Sequence, residues 1–168
     1  MAPLLDIPKC LSLEEAVSRR EAYRAAGERV VLTNGCFDLL HTGHLYFLRQ
    51  AAEHGERLFI MLNGDASVKE LKGPTRPVQT ETERAYLLGS LPFVDVLAVF
   101  HTPRLTREIE VLKPDIYVKA GDYDLDNLNP EERAALETCG TDIRFLPFLE
   151  GYSSTALIAK IRAAADTF

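Results

Sequence analysis

Two histidines, His41 and His44, are separated only by Thr42 and Gly43. A neutral imidazole can donate a hydrogen bond to a phosphate oxygen, and a protonated one adds charge. Gly43 places no side chain between the backbone and a ligand. Upstream, Val30-Val31-Leu32 reads as a buried strand; downstream, Leu45-Tyr46-Phe47-Leu48-Arg49-Gln50-Ala51-Ala52 has helical spacing. The pair therefore falls where a strand turns into a helix. The first amides of a helix lack internal partners and carry partial positive charge. Phosphate binds well at such a place, and the chemistry favoured is that of a nucleotide phosphate. Plain helix capping is one alternative. A metal site is another, but no third ligand stands nearby, so no metal is expected.

A second set lies near the end of the chain, where Gly151-Tyr152-Ser153-Ser154-Thr155 opens a helix. Its hydroxyls and free amides make a second anion site. His54 and His101 have no motif around them and are expected on the solvated surface. Cys36 is expected to pack beneath the histidine turn.

The elements that must position these groups alternate strand with helix. Ser12-Leu13-Glu14-Glu15 resembles a capping box opening a helix to about Ala26, closed by Gly27. Strands are expected over about Arg29–Thr33, Arg57–Leu62, Phe93–Phe100, Asp115–Lys119 and Asp142–Leu146. Asn63-Gly64-Asp65 reads as a turn, and the polar stretch from Lys69 to Gln79 is broken by Pro74 and Pro77. Helices are expected from Thr80 to about Leu91, from Thr102-Pro103 to Leu112, from Pro130 to Thr138, and from Ser153 or Ser154 to about Ala165. The pattern predicts an α/β fold: a Rossmann-like three-layer α/β/α sandwich on a five-stranded, mainly parallel sheet. Residues 1–28 read as a helical extension and 29–168 as the core of a single domain. Ligands in such folds lie beyond the carboxyl ends of the strands. Four polar clusters converge on that rim: Asn34 to His44, Asn63 to Lys72, Gly121 to Tyr123, and Gly151 to Thr155.

Composition narrows the partners. The 168 residues carry a formal charge of -6 and are 46% hydrophobic. A nucleic-acid partner is not expected, because such binding rests on many Lys/Arg–phosphate contacts; a small phosphorylated substrate needs only a few local cations. Three cysteines, Cys10, Cys36 and Cys139, match no zinc spacing and suit a reducing compartment. No basic stretch followed by an apolar run opens the chain, and no 18-residue apolar run occurs, so neither a leader nor a membrane partner is expected and the location reads as cytoplasmic.

Thr33-Asn34-Gly35-Cys36-Phe37-Asp38-Leu39-Leu40-His41-Thr42-Gly43-His44 resembles the His-x-Gly-His motif of the cytidylyltransferase-like nucleotidyltransferases. From about Leu11 to Ile161 the chain is similar to the adenylyltransferase half of the bifunctional ADP-heptose synthases. Asn63-Gly64-Asp65, Leu71-Lys72-Gly73-Pro74-Thr75-Arg76-Pro77-Val78, Val118-Lys119-Ala120-Gly121-Asp122-Tyr123 and Glu150 to Thr155 carry that likeness, with Lys-Gly-Pro-Thr-Arg-Pro the most branch-specific string. The resemblance implies transfer of AMP from ATP to D-glycero-β-D-manno-heptose 1-phosphate, with release of pyrophosphate, on the route to lipopolysaccharide. It implies Mg²⁺ beside the nucleotide, a homodimer, and a separate kinase supplying the sugar phosphate. A cytidylyltransferase acting on glycerol 3-phosphate or another phosphorylated alcohol, with CTP in place of ATP, is one alternative; a non-catalytic nucleotide-binding module is another.

Residue by residue, the resemblance implies catalytic roles for His41, His44, Lys72 and Arg84. It implies nucleotide contacts from Thr33, Asn34, Gly35, Cys36, Phe37 and Gly43 in the first cluster. It implies the same of Asn63, Asp65 and Lys69 in the second, of Gly121, Asp122 and Tyr123 in the third, and of Tyr152, Ser153, Ser154 and Thr155 in the last. Lys69 or Lys72 would hold phosphates as a mobile ammonium, with Lys72 the better match. Arg76 would shape its loop or touch the second substrate. Arg84 would face the phosphates, its alternative being a surface ion pair with Glu81 or Glu83. Two departures fall on the substrate side: Asp124 to Arg133 lacks the branch's usual Val-Gly, and Ala120 replaces a common glycine.

Overall fold

The computed structural model describes residues 6–121, 123–147 and 149–165. Five strands, β1 (Val30–Gly35), β2 (Arg57–Asn63), β3 (Val96–Phe100), β4 (Ile116–Ala120) and β5 (Asp142–Leu146), form one sheet in the order β3-β2-β1-β4-β5. All four pairings are parallel, one step beyond the mainly parallel sheet expected. Helices α1 (Leu13–Ala25), α2 (Thr42–Ala52), α3 (Asp65–Lys72), α4 (Glu81–Gly89), α5 (Thr106–Leu112), α6 (Pro130–Cys139) and α7 (Ser154–Ala165) supply the connections and flanks.

Successive side chains of a strand point to opposite faces, and the apolar runs of β1 and β2 feed two cores. Val30, Leu32, Phe59 and Met61 pack with Ala16 of α1, Ile109 and Leu112 of α5, and Leu136 of α6. Val31, Leu58, Ile60 and Leu62 pack with Phe47 and Leu48 of α2 and Ala85 and Leu88 of α4. At about 1.5–3 kcal/mol for each large apolar side chain fully buried, these two layers dominate the fold's stability. The segment expected as an N-terminal extension thus supplies α1 to one of the layers. Buried Arg20 fastens that helix by donating to the carbonyl of Lys113 and to Asp115, each at 3.0 Å.

Both expected capping boxes form, Ser12 with Glu15 and Thr80 with Glu83. Three boundaries differ from expectation. Asn63-Gly64-Asp65 is no free turn: Gly64 is the N-cap of α3, with Asp65 in its first turn and Lys69 and Lys72 in its last. Opposite charges at opposite ends suit the helix dipole. Helix α5 starts at Thr106, not Thr102, because buried Glu132 accepts the N–H of Leu105 at 2.8 Å and fixes the cap there. Strand β3 starts at Val96, because Asp95 turns to Arg57 and to the N–H of Leu58. His54, expected in solvent, is half-buried with its Nδ1 accepting from Arg144 at 2.7 Å.

β1 pairs with β2 over six residues, but with β4 only at Val31–Ile116 and Leu32–Tyr117. Beyond Leu32 and Tyr117 the two strands part. Here the winding also reverses, since β2 and β3 lie to one side of β1 and β4 and β5 to the other. Such a switch point is where a crevice opens in an α/β sheet.

Candidate active site

A cleft of about 1060 Å³ opens over this gap. Its first wall is the turn from β1 to α2. Phe37 (φ 45°) and Leu39 (φ 54°) adopt left-handed backbone, uncommon without glycine, and fold the turn tightly. Asp38 between them is buried, and its carboxylate accepts from the N–H groups of Val78 and Gln79 and from Arg76 Nε at 2.5 Å. Burial alone would raise its pKa; those donors outweigh burial and hold it below the usual carboxylate value. Its backbone carbonyl accepts from the Ser154 hydroxyl at 2.5 Å. One aspartate thus joins the histidine turn, the α3–α4 loop and the start of α7.

His41 and His44 stack with ring centroids 3.8 Å apart and planes inclined by 21°, and Phe37 meets His44 edge-on at 5.3 Å. Nδ1 of each imidazole is buried with no hydrogen-bond partner among the described residues. Burial, and the neighbouring His41, lower the pKa of His44 to about 3; burial also lowers that of His41. Both rings are therefore held neutral near pH 7, so each offers an N–H and no charge. His41 caps α2 without a side-chain bond. The amides of Thr42 and Gly43 meet no acceptor among the described residues, while those of His44 and Leu45 turn to the His41 carbonyl. A Cβ on Gly43 would lie 3.0 Å from Cβ of Tyr152 and 3.1 Å from Cε1 of His41, so a side chain here would push on the segment before α7 and on the His41 ring.

The opposite wall comes from β4 and the loop after it. Lys119 Nζ donates to Asn34 Oδ1 at 2.9 Å, and the Tyr117 hydroxyl donates to the same oxygen at 2.7 Å. Asn34 thus bridges with its side chain the gap that the parted backbones leave. Tyr123, Asn129, Glu132 and Arg104 continue this wall. The start of α7 closes the cleft with Tyr152, Ser153, Ser154 and Thr155, and Ser153 Oγ accepts the N–H of Ala156 as a helix cap. Lys72 and Arg76 reach in from α3 and its following loop.

Of the expected site residues, the cleft is lined by Asn34, Gly35, Cys36, Phe37, His41, Gly43, His44, Asn63, Lys72, Tyr123, Tyr152, Ser153, Ser154 and Thr155. Five others stand outside its lining. Thr33 is buried in β1 with its hydroxyl unpartnered among the described residues. Lys69 lies on α3 away from the cleft, and Gly121 uses its N–H on the carbonyl of Leu146. Arg84 is 1% exposed and neither faces the cleft nor pairs with Glu81 or Glu83. Its guanidinium donates to the carbonyls of Cys36, Asn63 and Gln79 and to Asp65 at 2.8 Å. Arg84 and Asp65 are thus a buried brace under two of the loops that form the rim. Asp122 lies outside the described residues. Reading the sequence missed Lys119, Arg104 and Asp38 as site groups. Lys119 carried a signal, being an ammonium at the carboxyl end of an otherwise apolar strand; Arg104 carried none.

A family model described as cytidylyltransferase-like matches residues 32–160. The chain is 45% identical over 157 residues to the bifunctional protein HldE of Helicobacter acinonychis, and 41% identical over 152 residues to that of Hahella chejuensis. These alignments cover 94% and 90% of this chain but 32% and 31% of the relatives, so the chain spans about a third of their length. Among solved structures, a lipopolysaccharide core biosynthesis protein from Thermoplasma volcanium superposes with a TM-score of 0.60 at 24% identity, over 76% of this chain and all of that one. A pantoate–β-alanine ligase from Francisella tularensis, solved with a nucleotide and β-alanine, gives 0.58 at 11% identity, over 92% of this chain and 77% of that one. At these identities the two structures speak to the fold alone.

Proposed function

We propose, from the premise that this chain belongs to the cytidylyltransferase-like family, that it is a nucleotidyltransferase that moves AMP from ATP to a sugar 1-phosphate. D-glycero-β-D-manno-heptose 1-phosphate is the acceptor that the resemblance to the ADP-heptose synthases implies. An oxygen of the acceptor's phosphate attacks the α-phosphorus in line, the bond from that phosphorus to the bridging oxygen breaks, and pyrophosphate leaves with the electron pair. The nucleophile is already an anion, so no general base is needed. What the protein supplies is position and charge stabilisation.

The observation that carries this reading is the stacked, neutral histidine pair at the start of α2, facing a cleft that also holds the start of α7. A neutral imidazole keeps one N–H that can donate to a phosphate oxygen. His41 and His44 donate to the triphosphate, the free amides of Thr42 and Gly43 add to them, and Lys72 follows charge onto the departing pyrophosphate. Arg84 and Asp65 act from beneath, by holding the carbonyls of Cys36 and Asn63 in place. Mg²⁺, which the resemblance implies beside the nucleotide, would offset phosphate charge there. No three His, Cys, Asp or Glu side chains come together to hold a metal among the described residues. The resemblance further carries a homodimer, an upstream sugar kinase and a cytoplasmic setting. No helix among the described residues is long and apolar enough to cross a membrane.

The test is a matrix of nucleoside triphosphates against phosphorylated acceptors, read as pyrophosphate released. ATP with the heptose 1-phosphate should give the fastest release. Replacing His44 by alanine should cut that turnover by about 10²–10³-fold, the usual loss for one donor aimed at developing phosphate charge, with the circular dichroism unchanged. Fastest release from CTP with glycerol 3-phosphate, or no release from any pair, would overturn the proposal.

A further inference from the structure

Lys119 is a half-buried ammonium at the carboxyl end of β4. Among the described residues its Nζ has one hydrogen-bond acceptor, the neutral Asn34 Oδ1, and no ion-pair partner. Burial lowers its pKa; Lys72 and Arg104 push the same way, and Glu132 and Cys36 oppose them from beyond contact distance. Removing an ammonium from water without a counter-charge is costly. The fold nevertheless retains it, with its Nζ 5.2 Å from the centre of the Tyr123 ring and 6.0 Å from that of Tyr117. Its side chain lines the cleft where β1 and β4 part. It stands on the β4 wall, across the gap from the histidine turn. Among the described residues no carboxylate pairs with it, and the cleft is where an anion can reach it.

We infer that Lys119 holds the phosphate of the acceptor, making it a catalytic residue for the attacking group rather than a further ligand of the triphosphate. The inference rests on the proposed nucleotidyl transfer. In that reaction two anions, the acceptor phosphate and the α-phosphate, must come together despite their repulsion. A cation at the boundary of the two walls neutralises the incoming one. Lys72 is exposed and reaches in from the α3 side; Lys119 is fixed by Asn34 and stands on β4, across the gap from the histidine turn. Asn34 is then a positioning residue, since its oxygen aims the ammonium and its other partner, Tyr117, is buried.

Inorganic phosphate is the probe, titrated into the full chain already saturated with a non-hydrolysable ATP analogue. The wild-type protein should bind it. Lys119→Met, which keeps the stem and removes the charge, should weaken that binding about tenfold or more, the loss of one charge-assisted hydrogen bond. The affinity for the analogue, measured alone, should change less than about threefold in the same variant. Lys119→Arg should keep phosphate binding. If Lys119→Met does not fold, Lys119→Gln makes the same comparison. Unchanged phosphate affinity in the uncharged variants, or equal loss of analogue and phosphate affinity, would overturn the inference. So would displacement of phosphate by the analogue in the wild type. A wild-type protein that binds phosphate through Lys119 but releases no pyrophosphate with any acceptor would instead sink the proposed reaction, so the two failures are distinct.

Discussion

His44 stands where a positive charge is costly. It is packed between Phe37 and His41, and burial holds its pKa down to about 3. The folded value lies below the ordinary one near 6.5, so the unfolded chain binds more protons as pH falls. The stability linked to this group is therefore fully present above about pH 6.5 and is lost progressively as pH drops toward about 3. The imidazole signals of His44 should stay unmoved in an NMR titration from about pH 8 to about pH 5. A midpoint near 6.5 would show that burial does not hold the ring neutral and that it can meet phosphate as a cation. The residue scale also separates two kinds of arginine. Arg76 lines the cleft while bonded to Asp38; Arg84, expected to face the phosphates, spends its donors on three carbonyls and Asp65. Nothing in a motif distinguishes an arginine that touches substrate from one that holds the loops that do, because both are fixed by the same geometry.

At the scale of elements, the cleft depends on Asp38 more than on any helix around it. Its carboxylate holds the backbone of Val78 and Gln79, and its carbonyl holds the first residue of α7. Asp38→Asn keeps the volume but strands Arg76 without its counter-charge, which for a buried pair costs about 3–5 kcal/mol. The expected result is a lower melting temperature and faster amide exchange at Val78 and Gln79, with exchange in the β1–β2 core unchanged relative to global unfolding. Equal loss of protection everywhere would show that Asp38 serves the whole fold and not this junction. Much of the element order was legible because its signals are local. The capping boxes at Ser12 and Thr80, the apolar strand runs and the glycine after α1 each depend on neighbours in sequence. Where reading failed, a distant residue decided. Asn63-Gly64-Asp65 suits a turn and a helix start alike, so the beginning of α3 is hidden in it. The start of α5 depends on Glu132, 27 residues away, and Lys119 becomes a site residue only because Asn34 crosses a gap between strands. The four polar clusters were found at one rim because the parallel topology alone puts strand ends together; which of their side chains turn inward was not encoded in that topology.

The whole molecule sets the character of the ligand. Its net charge is -6, yet in the cleft at the switch point of the sheet Lys72, Arg76, Arg104 and Lys119 outnumber Asp126, Glu132 and Glu150. A protein that repels polyanions over most of its surface and attracts them at one recess suits a compact phosphorylated ligand, and a duplex laid across its surface would meet mostly repulsion. The cleft also joins parts that hold each other weakly: β1 and β4 pair at two positions only, and no residue of α7 is buried. A nucleotide seated there would contact both sides of the gap and bind the folded state alone. At a hundred times its dissociation constant it should stabilise the fold by about 2.7 kcal/mol. For a domain of 168 residues that is roughly a 5–10 °C rise in melting temperature. The rise should shrink in His44→Ala, which lacks a donor to the triphosphate, and duplex DNA at equal phosphate concentration should give none. A comparable rise with DNA would mean that the cations of the cleft act as part of a broad basic surface, against the charge distribution described above. A full rise in His44→Ala would place the triphosphate elsewhere in the recess.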